Sequence, residues 1–342
     1  MSSLTPVSSF DDVRHLMGQL PRADAAATEA AAAREAWLTK PAGALGRLED
    51  IAAWVAAWQG RHPPRLDRVG VFVFAGNHGV TKQGVSAFPP AVTAQMVLNF
   101  EAGGAAINQL AQIAGAGLTV VPLDLERPTA DFTKAPAMSE AEAVDAFNQG
   151  LAAPDDALDL MAVGEMGIGN TTAAAALAAA LAGGEAADWA GPGTGLDPAG
   201  VARKAAAIRK GLERHEDLIA EGPLHALRAL GGREIAAMAG AILAGRLRRA
   251  PVLLDGYVAT AAALVLHAID PASIDHCLAG HASAEPAHKA LLAHMSLDPL
   301  LDLGMRLGEA SGAALAIPIV RAAVACHAGM ATFESAGVSG KG

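Results

Sequence analysis

Along the 342-residue chain, apolar positions follow two spacings. In the first sixty residues they recur at helical intervals, with Leu45, Leu48, Ile51 and Trp54 following a break at Lys40-Pro41-Ala42-Gly43. No strand is predicted there. From Val69 to Ala75 the pattern becomes an unbroken apolar run bounded by glycine, which predicts a strand buried on both faces. Similar runs at 118–123, 158–163, 251–254 and 273–278 predict four more strands, with helical segments between them. Such alternation predicts an α/β fold in which helices cover a parallel sheet. Residues 256–268 and 310–327 are the clearest late helices, with Pro318 expected to kink or break the second. The alanine-rich stretches at 25–33 and 173–182 are helix-forming composition. The final fifteen residues carry Gly, Ser and Lys and are expected to be mobile.

Composition narrows the class of partner. Residues classed as hydrophobic make up 52% of the chain but aromatics only 4%, so the core must be built from Ala, Leu, Val and Ile, which favours close helix packing. A formal charge of −10, from 35 acids against 25 Lys and Arg, argues against a nucleic-acid partner and leaves small molecules as the expected ligands. Cys277 and Cys326 match no metal or redox spacing, which suits a reducing, cytoplasmic compartment. No stretch reads as a membrane span, and the N-terminal residues Asp11, Asp12 and Arg14 do not resemble a signal peptide. The eleven histidines form no His-Glu-x-x-His pattern, so neither a metal nor another cofactor is expected.

The polar signals gather at the ends of the predicted strands. Gly76-Asn77-His78-Gly79 follows the first, Gly164-Glu165-Met166-Gly167 the third, Asp255-Gly256 the fourth and Gly280-His281-Ala282-Ser283 the fifth. Parallel sheets bind ligands beyond the carboxyl ends of their strands, so one shared site is expected, although strand-to-helix turns also favour Gly, Asp and Asn for local reasons. Within these loops, Gly164 to Thr172 has the glycine spacing of a phosphate-binding loop, and Thr171 is in place. Asn170 stands where the loop lysine would be. Backbone donors for one phosphate remain, but nothing in the loop neutralises a triphosphate.

Five segments carry a family resemblance: Leu38 to Glu49, Phe74 to Val80, Gly84 to Pro89, Gly164 to Thr172, and Arg306-Leu-Gly-Glu-Ala-Ser-Gly-Ala-Ala-Leu315. Together they resemble the nicotinate-nucleotide:dimethylbenzimidazole phosphoribosyltransferases. The resemblance implies a doubly wound parallel-sheet domain over residues 66–299. It also implies a smaller helical domain built from residues 1–65 and roughly 300–342, and a homodimer. The implied reaction moves the 5-phosphoribosyl group of nicotinate mononucleotide to 5,6-dimethylbenzimidazole, giving α-ribazole 5′-phosphate for the lower ligand of cobalamin.

By the same resemblance Glu309 is the general base and Glu165 lies beside the ribose and departing base. Gly167, Gly169, Asn170 and Thr171 would meet the phosphate, Lys204 would supply the missing cation, and Met166, Asp255, Gly256 and Ser283 would line the nucleotide end. Ser86, Phe88, Gln95, Met166 and Leu307 would receive the benzimidazole. Several have a plainer reading. Glu309 and Glu165 suit helix N-termini, Lys204 a solvated helix face, Ser283 a local helix cap, and Phe88 and Met166 the core. His78 reads equally well as a turn histidine bonding backbone. Three other functions stay open on sequence: an ATP-dependent phosphotransferase, a noncatalytic nucleotide-binding regulator, and a hydrolase in which water replaces the benzimidazole.

Overall fold

The computed structural model describes residues 4–339. Five parallel strands, β1 (Val69–Ala75), β2 (Gly117–Pro122), β3 (Leu160–Met166), β4 (Val252–Leu254) and β5 (Cys277–Ala279), form one sheet in the order β2-β1-β3-β4-β5. The chain therefore winds outward from β1 to β2, then returns to place β3 on the other side of β1. The sheet changes winding direction between β1 and β3, where ligands bind in doubly wound folds. Phe74 of β1 pairs with Glu165 of β3, and Ala75 with Met166, so both strands deliver their loops at one level.

The apolar runs have a simple explanation in burial. Every residue of β1 is buried. Alternate residues then serve two cores, because strand side chains point to opposite faces. Phe72, Phe74, Met161 and Val163 pack with helices Glu140–Ala152, Asn170–Ala182, Arg233–Leu247 and Tyr257–His267. On the other face, Val71, Val73, Leu160 and Ala162 pack with helices Arg47–Gln59, Ala106–Ala114 and Ser311–Gly329. The alanines from Ala173 to Ala178 are wholly buried, their small side chains letting helix Asn170–Ala182 lie close to helix Tyr257–His267.

Four expectations change. Residues 273–274 are buried, but in a 3-10 turn (Pro271–Ile274); β5 begins only at Cys277, because burial alone does not distinguish a turn from a strand. β2 is not buried on both faces: it is the sheet edge, and most of its residues are partly or fully exposed. Pro318 does not end its helix, which runs unbroken from Ser311 to Gly329. That helix is also long and apolar enough to cross a membrane by length and composition. Its packing against the sheet and against helix Arg47–Gln59 accounts for that apolarity. Of the final fifteen residues, Thr332 bridges Leu38 and Phe333–Ala336 form a short helix, while 340–342 lie outside the described residues.

Candidate active site

The strand-end loops converge on one cleft at the carboxyl edge of the sheet. Glu165, Met166, Gly167, Asn170 and Thr171 from the β3 side line it with Gly193, Gly256, His281, Ser283, Glu285, Arg306, Leu307 and Gly308. The glycine loop ends at Gly169, whose φ of 95° is left-handed and needs no side chain. Helix Asn170–Ala182 then starts without a side-chain cap. Thr93 Oγ1 holds the loop by accepting from the Ile168 N–H at 3.2 Å. Behind Thr171 lies Lys204, on helix Pro198–Arg214, which Asp197 caps and Pro198 opens. Its Nζ donates to Thr171 Oγ1 and to the Gly191 carbonyl, both at 2.9 Å. Lys204 is 1% exposed, which removes the solvated-lysine reading. Burial pulls its ammonium down to about 8, with Glu285 opposing.

Opposite this loop, Gly308, Glu309 and Ala310 adopt consecutive left-handed conformations, with φ of 79°, 61° and 58°. For the two non-glycine residues this costs about 1–2 kcal/mol each. The turn is held by neighbours. The Glu309 N–H donates to the Glu165 carbonyl at 3.0 Å, and a Cβ on Gly164 would collide with the Ala310 backbone. Asp255 Oδ1 accepts the N–H groups of Gly312 and Ala313 at 2.8 and 3.0 Å, fixing the start of helix Ser311–Gly329.

Acids crowd this turn. Burial, then the Asp255 carboxylate, pushes the Glu309 carboxyl up to about 7, and its Oε2 is buried without a hydrogen-bond partner. Burial, then Asp255 and Glu234, raises Glu165 to about 8, although Asn170 Nδ2 donates to it. Asp255 itself is raised, burial outweighing His281 and the N–H groups. Among the described residues no group of three or more His, Cys, Asp or Glu is set to hold a metal ion. The arrangement is a cleft with anion donors at one end and proton-accepting carboxyls at the other.

Comparison with known proteins agrees with this layout. A phosphoribosyltransferase family model matches residues 20–338. The nicotinate-nucleotide–dimethylbenzimidazole phosphoribosyltransferase of Cereibacter sphaeroides strain KD131 is 58% identical over 335 residues, spanning 98% of this chain and 99% of the relative. That of Methylocella silvestris is 56% identical over 338 residues, 99% of each. The chain belongs to the nicotinate-nucleotide–dimethylbenzimidazole phosphoribosyltransferase family. A crystal structure of the Thermus thermophilus member superposes with a TM-score of 0.85 at 42% identity, covering 93% of this chain and all of that one.

Of the residues the phosphoribosyltransferase resemblance implies, Glu165, Met166, Gly167, Asn170, Thr171, Gly256, Ser283 and Leu307 line the main cleft. Ser86, Gly169 and Lys204 line an adjoining pocket that shares Gly167, Asn170 and Thr171 with the main cleft. Glu309 does not itself line the cleft; it is buried, at 4% exposure, next in the chain to Gly308, which does. Asp255 lies behind the wall as the holder of a helix start, and does not line the cleft. Nor do Phe88 and Gln95. Phe88 is half exposed, and helix Ala91–Glu101 buries Thr93 and Val97, turning Gln95 outward. Ser283 does not cap the following helix, whose N-cap is Glu285 and which has no side-chain cap; its Oγ accepts the Glu285 N–H at 3.2 Å in the turn just before it. His78 bonds no backbone through its ring; its Nε2 lies 2.6 Å from Glu234 Oε1 in a fully buried pair. Sequence reasoning did not single out His281, Glu285 or Arg306. Glu285 and Arg306 hold Gly193 from two sides, Glu285 Oε1 accepting its N–H at 2.8 Å and Arg306 donating to its carbonyl at 3.0 Å. Their signal was position: His281 in a strand-end tetrapeptide, Arg306 at the head of the Glu309 motif.

Proposed function

We propose that the chain transfers the 5-phosphoribosyl group of nicotinate mononucleotide to 5,6-dimethylbenzimidazole, with Glu309 as general base. The pyridinium nitrogen of the donor already carries positive charge. Breaking its bond to the anomeric carbon therefore returns the electron pair to a neutral ring, and no acid is required there. One benzimidazole nitrogen attacks the anomeric carbon from the opposite face, with inversion, and the N–H proton of the other passes to Glu309. A carboxyl raised to about 7 suits that proton transfer at neutral pH. Glu165, at the sugar, stabilises positive charge building on the ribose once the cationic donor draws it into its ionised form.

The observation that carries this reading is the joining of the two carboxyl-bearing segments by the Glu309 N–H and the Glu165 carbonyl, beside a glycine loop whose Thr171 hydroxyl accepts from the buried Lys204 ammonium. Gly167, Gly169, Asn170 and Thr171 meet the phosphate, and Gly256 and Ser283 the nucleotide end. The benzimidazole enters against Met166 and Leu307, which line the main cleft. Residues 1–65 and roughly 300–342 form the smaller helical part. Supporting this, Arg34 donates to the carbonyls of His327, Ala328 and Met330. We further propose a cytoplasmic homodimer, whose interface would use the exposed Leu98 and Ile113 on the helices that pack beside the β2 edge.

The test is to incubate the protein with nicotinate mononucleotide and 5,6-dimethylbenzimidazole and analyse the products by chromatography and mass spectrometry. α-Ribazole 5′-phosphate and nicotinate are expected in equal amounts. Nucleotide loss without that product would mean hydrolysis, and no loss at all from folded protein would sink the assignment.

A further inference from the structure

His281 is 2% exposed, lines the cleft and, among the described residues, has no hydrogen-bond partner at either ring nitrogen. Burying an imidazole this way gives up its bonds to water with no return from the protein. The surroundings do not supply the missing partner. Asp255 Oδ1 lies 3.6 Å from Nε2 and already holds the N–H groups of Gly312 and Ala313. The Gly312 backbone closes one edge of the ring. His288, whose ring centroid is 6.3 Å away, is occupied by the Ser283 N–H and Thr260 Oγ1. The open side is at Gly256, where a Cβ would stand 3.5 Å from Nε2 and no side chain is present.

Position in the cleft selects the ligand group. Lys204 lines the adjoining pocket with Gly169 and Thr171, and His281 does not. His281 instead shares the main cleft with Glu165, Gly256 and Gly308. We propose that His281 contacts the substrate directly, its ring holding a ribose hydroxyl of the phosphoribosyl donor. This rests on the transferase reading above. A hydroxyl both donates and accepts, so it satisfies an imidazole nitrogen in either protonation state.

The test is a cycle of kcat/KM values for wild type, His281→Ala and His281→Asn, each with nicotinate mononucleotide and its 2′-deoxy and 3′-deoxy counterparts. His281→Ala is expected to lower the value for the ribonucleotide about tenfold. Removing the contacted hydroxyl should cost wild type a similar factor and cost His281→Ala almost nothing further. His281→Asn, which keeps an N–H donor, should recover part of the difference and carries the cycle if the alanine variant does not fold. Losses that multiply for both deoxy donors would mean that the ring acts only by packing against Gly312, and would overturn the contact. That result leaves the transferase reading standing, whereas wild type that turns over no nucleotide removes both.

Discussion

Two groups of charged side chains in this protein are balanced in opposite ways. Where the chain ends meet, Lys40 Nζ lies 2.8 Å from Glu35 Oε2 and 2.7 Å from Glu49 Oε1, and His327 Nδ1 lies 2.7 Å from the other Glu35 oxygen. Burial opposes charge on Glu35, but Lys40 and His327 outweigh it and hold its carboxyl below the usual range. Glu49 is lowered by Lys40 as well. At the strand ends, Glu165, Asp255, Glu309 and Glu234 share one neighbourhood, and among the described residues none has a lysine or arginine ion-pair partner. There Glu165 and Glu309 are raised, and the backbone at Glu309 and Ala310 is strained. A cation set between two acids serves the fold. Acids gathered around a strained turn cost stability, and perturbed carboxyls of this kind are what the proton transfer proposed above requires.

The contrast can be broken most sharply at Glu309. Glu309→Gln should lower kcat about 100- to 10,000-fold while nucleotide binding stays measurable. In wild type, kcat/KM should rise with pH through about 7, because the base works only when deprotonated. Turnover within a few-fold of wild type would erase the functional half of the comparison. At the other group, Lys40→Met should cost roughly 3 kcal/mol in denaturant unfolding, since it leaves Glu49 without a cation and Glu35 with His327 alone. Turnover per folded molecule should not change; a large kinetic defect would show that the chain-end network reaches the site.

Between these lies Lys204, buried like a structural residue but aimed at the phosphate loop. Lys204→Met should reduce kcat/KM for the nucleotide roughly 30-fold, with little effect on a donor lacking the phosphate. Equal losses on both donors would move Lys204 to the structural side. The smallest expected effect is thermal. Glu165 is raised to about 8, so the folded protein holds a proton that the unfolded chain releases near the ordinary carboxylate value. Stability therefore falls as pH rises from about 4.5 toward 8. Glu165→Gln should raise the melting temperature on the order of 5 °C at pH 8, with the gain fading near pH 5. A gain independent of pH would place its cause in packing.

Much of this was legible in the chain because burial writes itself into composition. β1 and β3 read as strands since both faces are covered, and the glycines of Gly164 to Thr172 marked the strand-to-helix turn in which Gly169 is left-handed. β5 was misplaced by several residues because Ser273 and Ile274 are buried without being extended. Asp255 was expected to line the nucleotide end, and His281 was legible only as a strand-end residue. Nothing in sequence says that Asp255 fixes a helix start 57 positions away while His281 is left without a partner.

The sequence by itself therefore determined the alternation of strands and helices, the edge of the sheet that carries the polar loops, and the residue types available there. These follow from local periodicity and from the preference of glycine and small polar residues for strand-to-helix turns. Tertiary structure decided which side chains are satisfied. It brought Lys204 to Thr171, set Glu309 against Glu165 and gathered the acids, because hydrogen bonding and desolvation depend on distances between segments far apart in the chain.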